Sequence, residues 1–223
     1  MNWEEGPGPA SLLARAAVGD AEAWGALLAH HEARLRSVVS FRLDPRLRGR
    51  VDPADVLQDV FAAATARRAE FFAQATQPLF LWLRWMAANT LLELHRHHLG
   101  FQMRDVRREI AAGQAGCARA EGGARDDDTR AALAAQLTCG ITGPATAVER
   151  RETIMRLHEA LGKMDAVDRE VLALRHYEQL TNAEVAQVLG IQERAAGKRY
   201  LRALERLRET LADMPGGLTE LRP

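Results

Sequence analysis

The clearest periodicity in the chain lies near its end. Over Leu180–Leu211, apolar positions recur three and four residues apart in two runs separated by Gly190. In the first run Val185, Val188 and Leu189 form one stripe. Thr181 or Asn182 is placed to cap it, and Glu184 completes a capping-box pattern behind Thr181. Gly190 supplies the left-handed residue that ends a helix, and Ile191 is an apolar plug between the two elements. The second run starts near Gln192. It carries Ala196, Tyr200, Ala203, Leu204, Leu207 and Leu211 on one side. Arg194, Lys198, Arg199, Arg202, Arg206 and Arg208 lie on the other, opposed by Glu193, Glu205 and Glu209. The pattern predicts a helix-turn-helix with a basic second helix, a shape that suits a DNA major groove. The competing reading is a helical hairpin with a solvated basic face. The glycine at the turn and the one-sided charge favour DNA binding.

The helical period continues through most of the chain. A first helix is expected over Ala10–Val18, and Gly19 and Asp20 break it. Asp20 can cap a second helix bearing Trp24, Leu27, Leu28, His31, Leu35 and Val38 on one side, with His31 a core-edge residue rather than a ligand. The Arg-rich stretch around Pro45 and Gly49 predicts a loop. Asp52 then caps a helix that has Pro53 at its first position. Val56, Val60, Ala63 and Ala64 face inward there, while Asp55, Gln58, Asp59 and Ala62 share the opposite face. With no basic residue at matching offsets, that acidic face is open to a basic partner; the bland alternative is simple solvation. Phe71–Pro78 reads as a short polar segment between helices. Leu79–His98 is the most apolar helix, with Phe80, Leu83, Ala87, Leu91 and Leu94 on one side. Trp82 is assigned to the core; Trp85 suits either the core or stacking on unpaired bases. The cluster His95, His97 and His98 beside Arg96 fits the helix dipole or a phosphate better than a metal.

From Glu109 to Ala147 the period dissolves among glycines and the acidic run Asp126–Asp128, which predicts a linker containing one helix near Thr129–Leu137. Helices over Val148–Leu161 and Asp165–His176 precede the helix-turn-helix, and residues 213–223 form a tail. The expected fold is all-α, with two small helical domains, 10–108 and 148–212, joined by a flexible linker, 109–147.

Composition narrows the possible functions. The net charge is zero, so nucleic-acid binding must come from local patches rather than a global field. Cys117 and Cys139 lack the spacing of a zinc site and read as free thiols. The acidic, Gly- and Pro-rich start carries no apolar run, so no signal peptide is expected there. The most apolar stretch, Leu79–Leu94, is too short to cross a membrane and contains Arg84, so a cytoplasmic protein without membrane insertion is expected. There is no glycine-rich phosphate loop, nucleophile elbow or metal-spaced His/Cys set. No catalytic residue, cofactor or metal is therefore expected, and the chain reads as a non-enzyme.

The order of these parts resembles bacterial RNA polymerase sigma factors of the extracytoplasmic-function (ECF) group, which keep only the second and fourth sigma domains. "DPADVLQDVF" is similar to the clamp-binding helix of the first of these domains, and "FLWLRWMAANTLLELHRHH" to its promoter-melting helix. "MDAVDREVLALRHYEQLTNAEVAQVLGIQERAAGKRYLRALERLRETL" is similar to the domain that reads the −35 element. The resemblance spans roughly 12–108 and 149–211. It implies that Asp55, Leu57, Gln58, Asp59 and Phe61 hold the β′ clamp of core RNA polymerase. It places Phe72, Gln74, Thr76 and Gln77 at a flipped-out base of the −10 element, and Arg84, Trp85, Asn89 and Arg96 along the separated strand. Lys198, Arg199 and Arg202 would meet the −35 major groove, with Arg194 near phosphate. The implied partners are core RNA polymerase, through its β′ clamp and β flap, promoter DNA, and an anti-sigma factor of the kind that holds many such proteins inactive. Two positions depart from the family. Gly197 stands where a longer DNA-contacting side chain is common, and Gln192 replaces the usual Ser cap. The alternative is a stand-alone helix-turn-helix transcriptional regulator, which needs neither the acidic helix at Asp55 nor the Trp-bearing basic helix.

Overall fold

The computed structural model describes residues 8–73, 77–99, 123–139 and 147–213. The chain divides into two compact units, Met1–Phe101 and Gln102–Pro223. Among the described residues both are helical, without strands.

The first unit contains α1 (Pro9–Ala17), α2 (Ala21–Arg42), α3 (Pro53–Ala66), α4 (Arg68–Ala73) and α5 (Leu79–Leu99). Local chemistry sets the starts of α2 and α3. The Asp20 carboxylate accepts the Glu22 and Ala23 N–H groups at 3.0 Å, and Asp52 accepts that of Ala54 at 2.8 Å ahead of Pro53. Helices α2, α3 and α5 pack against one another around Leu27, Leu35, Val39, Val60, Leu83 and Ala87. Each large apolar side chain buried this way contributes about 1.5–3 kcal/mol. One wall of the core is aromatic. Trp24, Phe71, Phe72 and Trp82 form a cluster with ring centroids 5.0–6.5 Å apart, and Trp24 Nε1 donates to Thr65 Oγ1 at 3.1 Å. Trp82 is thus a core residue.

That cluster corrects the polar segment expected over Phe71–Pro78. Phe71, Phe72 and Ala73 instead complete α4, because both phenyl rings are recruited by tryptophans on α2 and α5. The Arg-rich loop is also more ordered than expected. Helix α2 runs through Arg42, Pro45–Leu47 is a 3-10 turn, and Leu43 and Leu47 are buried. Asp44 is buried beside them. Its N–H donates to His95 Nε2 at 3.3 Å, and its carboxylate accepts Arg46 Nε and Nη2 at 3.0 and 2.8 Å. His95, at 4% exposure, is therefore a core acceptor and not a phosphate contact. His97 is exposed, and the side chain of His98 lies outside the described residues.

The Arg46 guanidinium holds the Asp44 carboxyl at about 2, against an ordinary 3.8, with burial opposing the shift. A carboxyl whose pKa falls on folding stabilises the fold above the unfolded value, and that stabilisation is lost as pH drops through the folded one. The difference amounts to about 2 kcal/mol. Asp44→Asn is expected to lower the stability of the first unit by about that amount at neutral pH. The gap to wild type should close between pH 4 and pH 2. Urea unfolding followed by tryptophan fluorescence measures it, since all four tryptophans lie in this unit.

The second unit contains α6 (Gly123–Cys139), α7 (Ala147–Lys163), α8 (Ala166–Leu172), a π turn (Ala173–Tyr177), α9 (Asn182–Leu189) and α10 (Glu193–Ala212). Inside the stretch read as a linker, α6 is longer than the expected Thr129–Leu137 and packs on α7 and the π turn. Leu133 and Ala134 are buried there, and Asp127 reaches Arg130 at 2.8 Å and His158 at 3.0 Å. The helix-turn-helix has the expected punctuation. Thr181 Oγ1 accepts the Glu184 N–H at 3.2 Å, while the Glu184 carboxylate accepts the Thr181 N–H at 2.8 Å. Gly190 closes α9 at φ 63°, and Gln192 precedes α10 without a side-chain cap.

Candidate polymerase and nucleic-acid interfaces

Helix α10 lies on α7, α8 and α9. Ala196, Ala203, Leu207 and Leu211 are its buried side. Two polar ties fix its roll. On one flank the Tyr200 hydroxyl bonds His176 Nε2 at 3.0 Å. The Arg175 guanidinium sits 5.2 Å from the Tyr200 ring centroid and donates to the Leu180 carbonyl. Burial, helped by Arg175, pushes the His176 pKa down, which keeps the imidazole neutral. On the other flank Arg206 pairs with the buried Asp168 and lies 3.9 Å from Asp165. Arg206, one of the basic series read from the sequence, is thus a structural residue.

These ties turn Arg194, Lys198, Leu201, Arg202 and Glu205 outward, all exposed. Arg199 is half-buried. It faces sideways into a cleft against the start of α8, shared with Lys198, Arg202 and Arg206 on one wall and Asp165 and Asp168 on the other. None of Arg194, Lys198, Arg199 and Arg202 forms an ion pair among the described residues. Leu201, at 64% exposure, joins this arc although the charge pattern of the sequence does not single it out. Its signal was that it follows Tyr200 directly and so stands outside the apolar stripe.

Gly197 stands where α10 passes the first residue of α9. A Cβ there would meet Asn182 Nδ2 at 3.5 Å, an ordinary contact. Ala fits, and a helix-interior Gly costs about 1 kcal/mol relative to Ala. Gly197→Ala is therefore expected to stabilise the second unit by up to about 1 kcal/mol, read as a higher thermal midpoint.

In the first unit, Asp55, Gln58, Asp59 and Ala62 are exposed along one face of α3. Asp55 and Asp59 form no ion pair among the described residues. Phe61 is half-buried at the edge of this face. Leu57 is not part of it: at 2% exposure its side chain points into the core. On α5, Trp85, Asn89 and Arg96 are four and seven residues apart and share a face, while Arg84 projects about a quarter-turn away. Trp85 is 38% exposed, with the Arg67 guanidinium 5.6 Å from its ring centroid. Arg96 lies 3.6 Å from Glu93. Phe72 belongs to the aromatic cluster, Gln77 is exposed, and Gln74 and Thr76 lie outside the described residues. Among the described residues no group of three His, Cys, Asp or Glu side chains converges as a metal site. No described helix is long and apolar enough to cross a membrane.

Residues 154–207 match the family model "Sigma-70, region 4". The chain is 30% identical over 198 residues to the RNA polymerase sigma factor CnrH of Cupriavidus metallidurans, covering 88% of this chain and 90% of that protein. It is 28% identical over 199 residues to the RNA polymerase sigma factor NccH of Alcaligenes xylosoxydans xylosoxydans, covering 88% and 91%. A solved structure of CnrH in complex with the cytosolic domain of CnrY is 26% identical, with a TM-score of 0.48, over 91% of this chain and 97% of that one. The family match falls on the unit that carries the outward-facing basic helix, and the relatives extend across both units. The chain belongs to the RNA polymerase sigma factors of the ECF group.

Proposed function

We propose that the two units divide the work of promoter selection. The first docks on core RNA polymerase through the acidic face of α3, at the β′ clamp, and holds the separated −10 strand along Trp85, Asn89 and Arg96. The second docks at the β flap and reads the −35 element with α10 through Lys198, Arg202 and Arg199, while Arg194 contacts phosphate. The observation that carries this reading is an unpaired acidic helix face on one unit and an unpaired basic helix face on the other. Two such faces of opposite sign match two different partners, a basic protein surface and a polyanion. A regulator acting alone on DNA has no use for the first.

With zero net charge, the free chain has no field to hold it on duplex DNA. Its affinity arises when core polymerase fixes the spacing of the two units. Run-off transcription with purified core polymerase tests the assignment: promoter-dependent transcripts support it. Nanomolar binding of duplex by the chain alone at physiological salt would overturn it. The work takes place in the cytoplasm, beside polymerase and chromosome. A protein that covers either face silences it, and an anti-sigma factor is the form of control that fits. Constant full promoter activity in cells under every growth condition would remove that form of control.

A further inference from the structure

Leu201 is the one large apolar side chain on the outward arc of α10, and the fold has no need of it there. At 64% exposure it covers no core. Single exposed leucines are ordinary on protein surfaces; this one is set apart by its surroundings. Lys198 stands three residues before it and Glu205 four after, so charged groups bracket it along the helix. A helical side chain leans toward the N-terminus, so Leu201 lies over the turn that holds Gly197, which contributes no side chain. The arc therefore holds an uncovered apolar spot between Lys198, a cation suited to phosphates and base edges, and the carboxylate of Glu205. In a major groove the apolar feature that such a spot fits is the 5-methyl group of thymine.

We infer that Leu201 reads a thymine methyl in the −35 element and is a specificity-determining residue for promoter choice. This rests on the proposed entry of α10 into the −35 groove. A bidentate arginine–guanine pair selects by hydrogen bonds, whereas Leu201 selects by contact alone. It distinguishes thymine from cytosine at one position, and from uracil, which differs from thymine only by the methyl. Gly197 keeps the approach open.

The test uses holoenzyme assembled from the full chain and core polymerase. Wild type first selects its preferred −35 element from a randomised library. Each thymine of that element is then replaced singly by deoxyuridine, which removes the methyl and nothing else. For wild type, one replacement should lower promoter affinity about fourfold, the value of one buried methyl group. With Leu201→Ala that replacement should have no effect. Lys198→Ala serves as the control for groove entry, and thermal midpoints confirm that both variants fold. A selected element without thymine, wild-type indifference to every uridine, or equal uridine sensitivity in Leu201→Ala each overturns the assignment. If Lys198→Ala weakens −35 use in that case, only the role of Leu201 falls. If Lys198→Ala and Leu201→Ala both leave −35 dependence unchanged, the placement of α10 in the groove falls as well.

Discussion

Reversing the charges of Asp55 and Asp59 together is expected to abolish assembly with core RNA polymerase and leave the first unit folded. The two carboxylates are four residues apart on one exposed face of α3 and have no ion-pair partner among the described residues. Nothing in the core depends on them: Val56, Leu57, Val60 and Ala64 hold the helix from the other side, and Asp52 keeps its cap. A lysine at Asp55 meets the positive end of the helix and costs about 0.3–1 kcal/mol, too little to unfold the unit. Close charge pairs at a protein interface couple by about 1.5–7 kcal/mol, and reversal turns that attraction into repulsion. The loss in affinity is therefore expected to exceed about a hundredfold. Titration of the double variant against core polymerase measures it, and far-UV circular dichroism checks the fold. Normal co-purification would falsify the acidic face as the docking surface.

Arg202→Ala and Arg194→Ala should fail in different ways. Arg202 lies on the outward arc one turn beyond Lys198, whereas Arg194 sits in the first turn of α10. An arginine making a bidentate bond to guanine is worth about 1–3 kcal/mol of discrimination, roughly 5- to 150-fold at one base pair. One that meets phosphate lowers affinity on all sequences alike and removes about one unit from the salt slope. Arg202→Ala is thus expected to relax promoter choice, and Arg194→Ala to lower transcription evenly. Selection from a promoter library and a salt titration of each variant separate the two. Identical sequence profiles for wild type and Arg202→Ala would remove Arg202 as a base reader. Arg199 is half-buried against the cleft beside α8, so Arg199→Ala is expected to relax promoter choice less than Arg202→Ala.

The features legible in the sequence were those that depend on near neighbours. The Thr181–Glu184 capping box, the left-handed Gly190, the Asp52–Pro53 start and the exposed face of α3 all arise from residues within one turn of each other. The features that escaped depend on residues far apart in the chain. Phe71 and Phe72 looked like part of a polar connector until Trp24 and Trp82 closed around them. The sequence puts His95 in a cluster suited to the helix dipole or a phosphate, whereas Asp44, fifty-one residues away, donates its N–H to it. Leu57 was grouped with its acidic neighbours, but only the packing of α3 shows that it faces the other way. Arg206 was one basic residue in a row, and it became a structural one because Asp168 is buried next to it.

The π turn between α8 and α9 carries a consequence for how this domain can vary. At Ala173–Tyr177 the chain takes a wider coil, and the Glu178 N–H returns to the Ala173 carbonyl at 3.0 Å. Such a coil behaves as one residue inserted into a helix. The insertion sets the phase at which Arg175 and His176 emerge, and both grip Tyr200 of α10. Replacing either side chain weakens the grip but leaves the phase alone. Removing one residue between Asp165 and Arg175 would rotate the turn by about 100° and swing both side chains off α10. The aim of α10 is thus encoded by a residue count as much as by residue identity, so this stretch should tolerate substitution far better than a change of length.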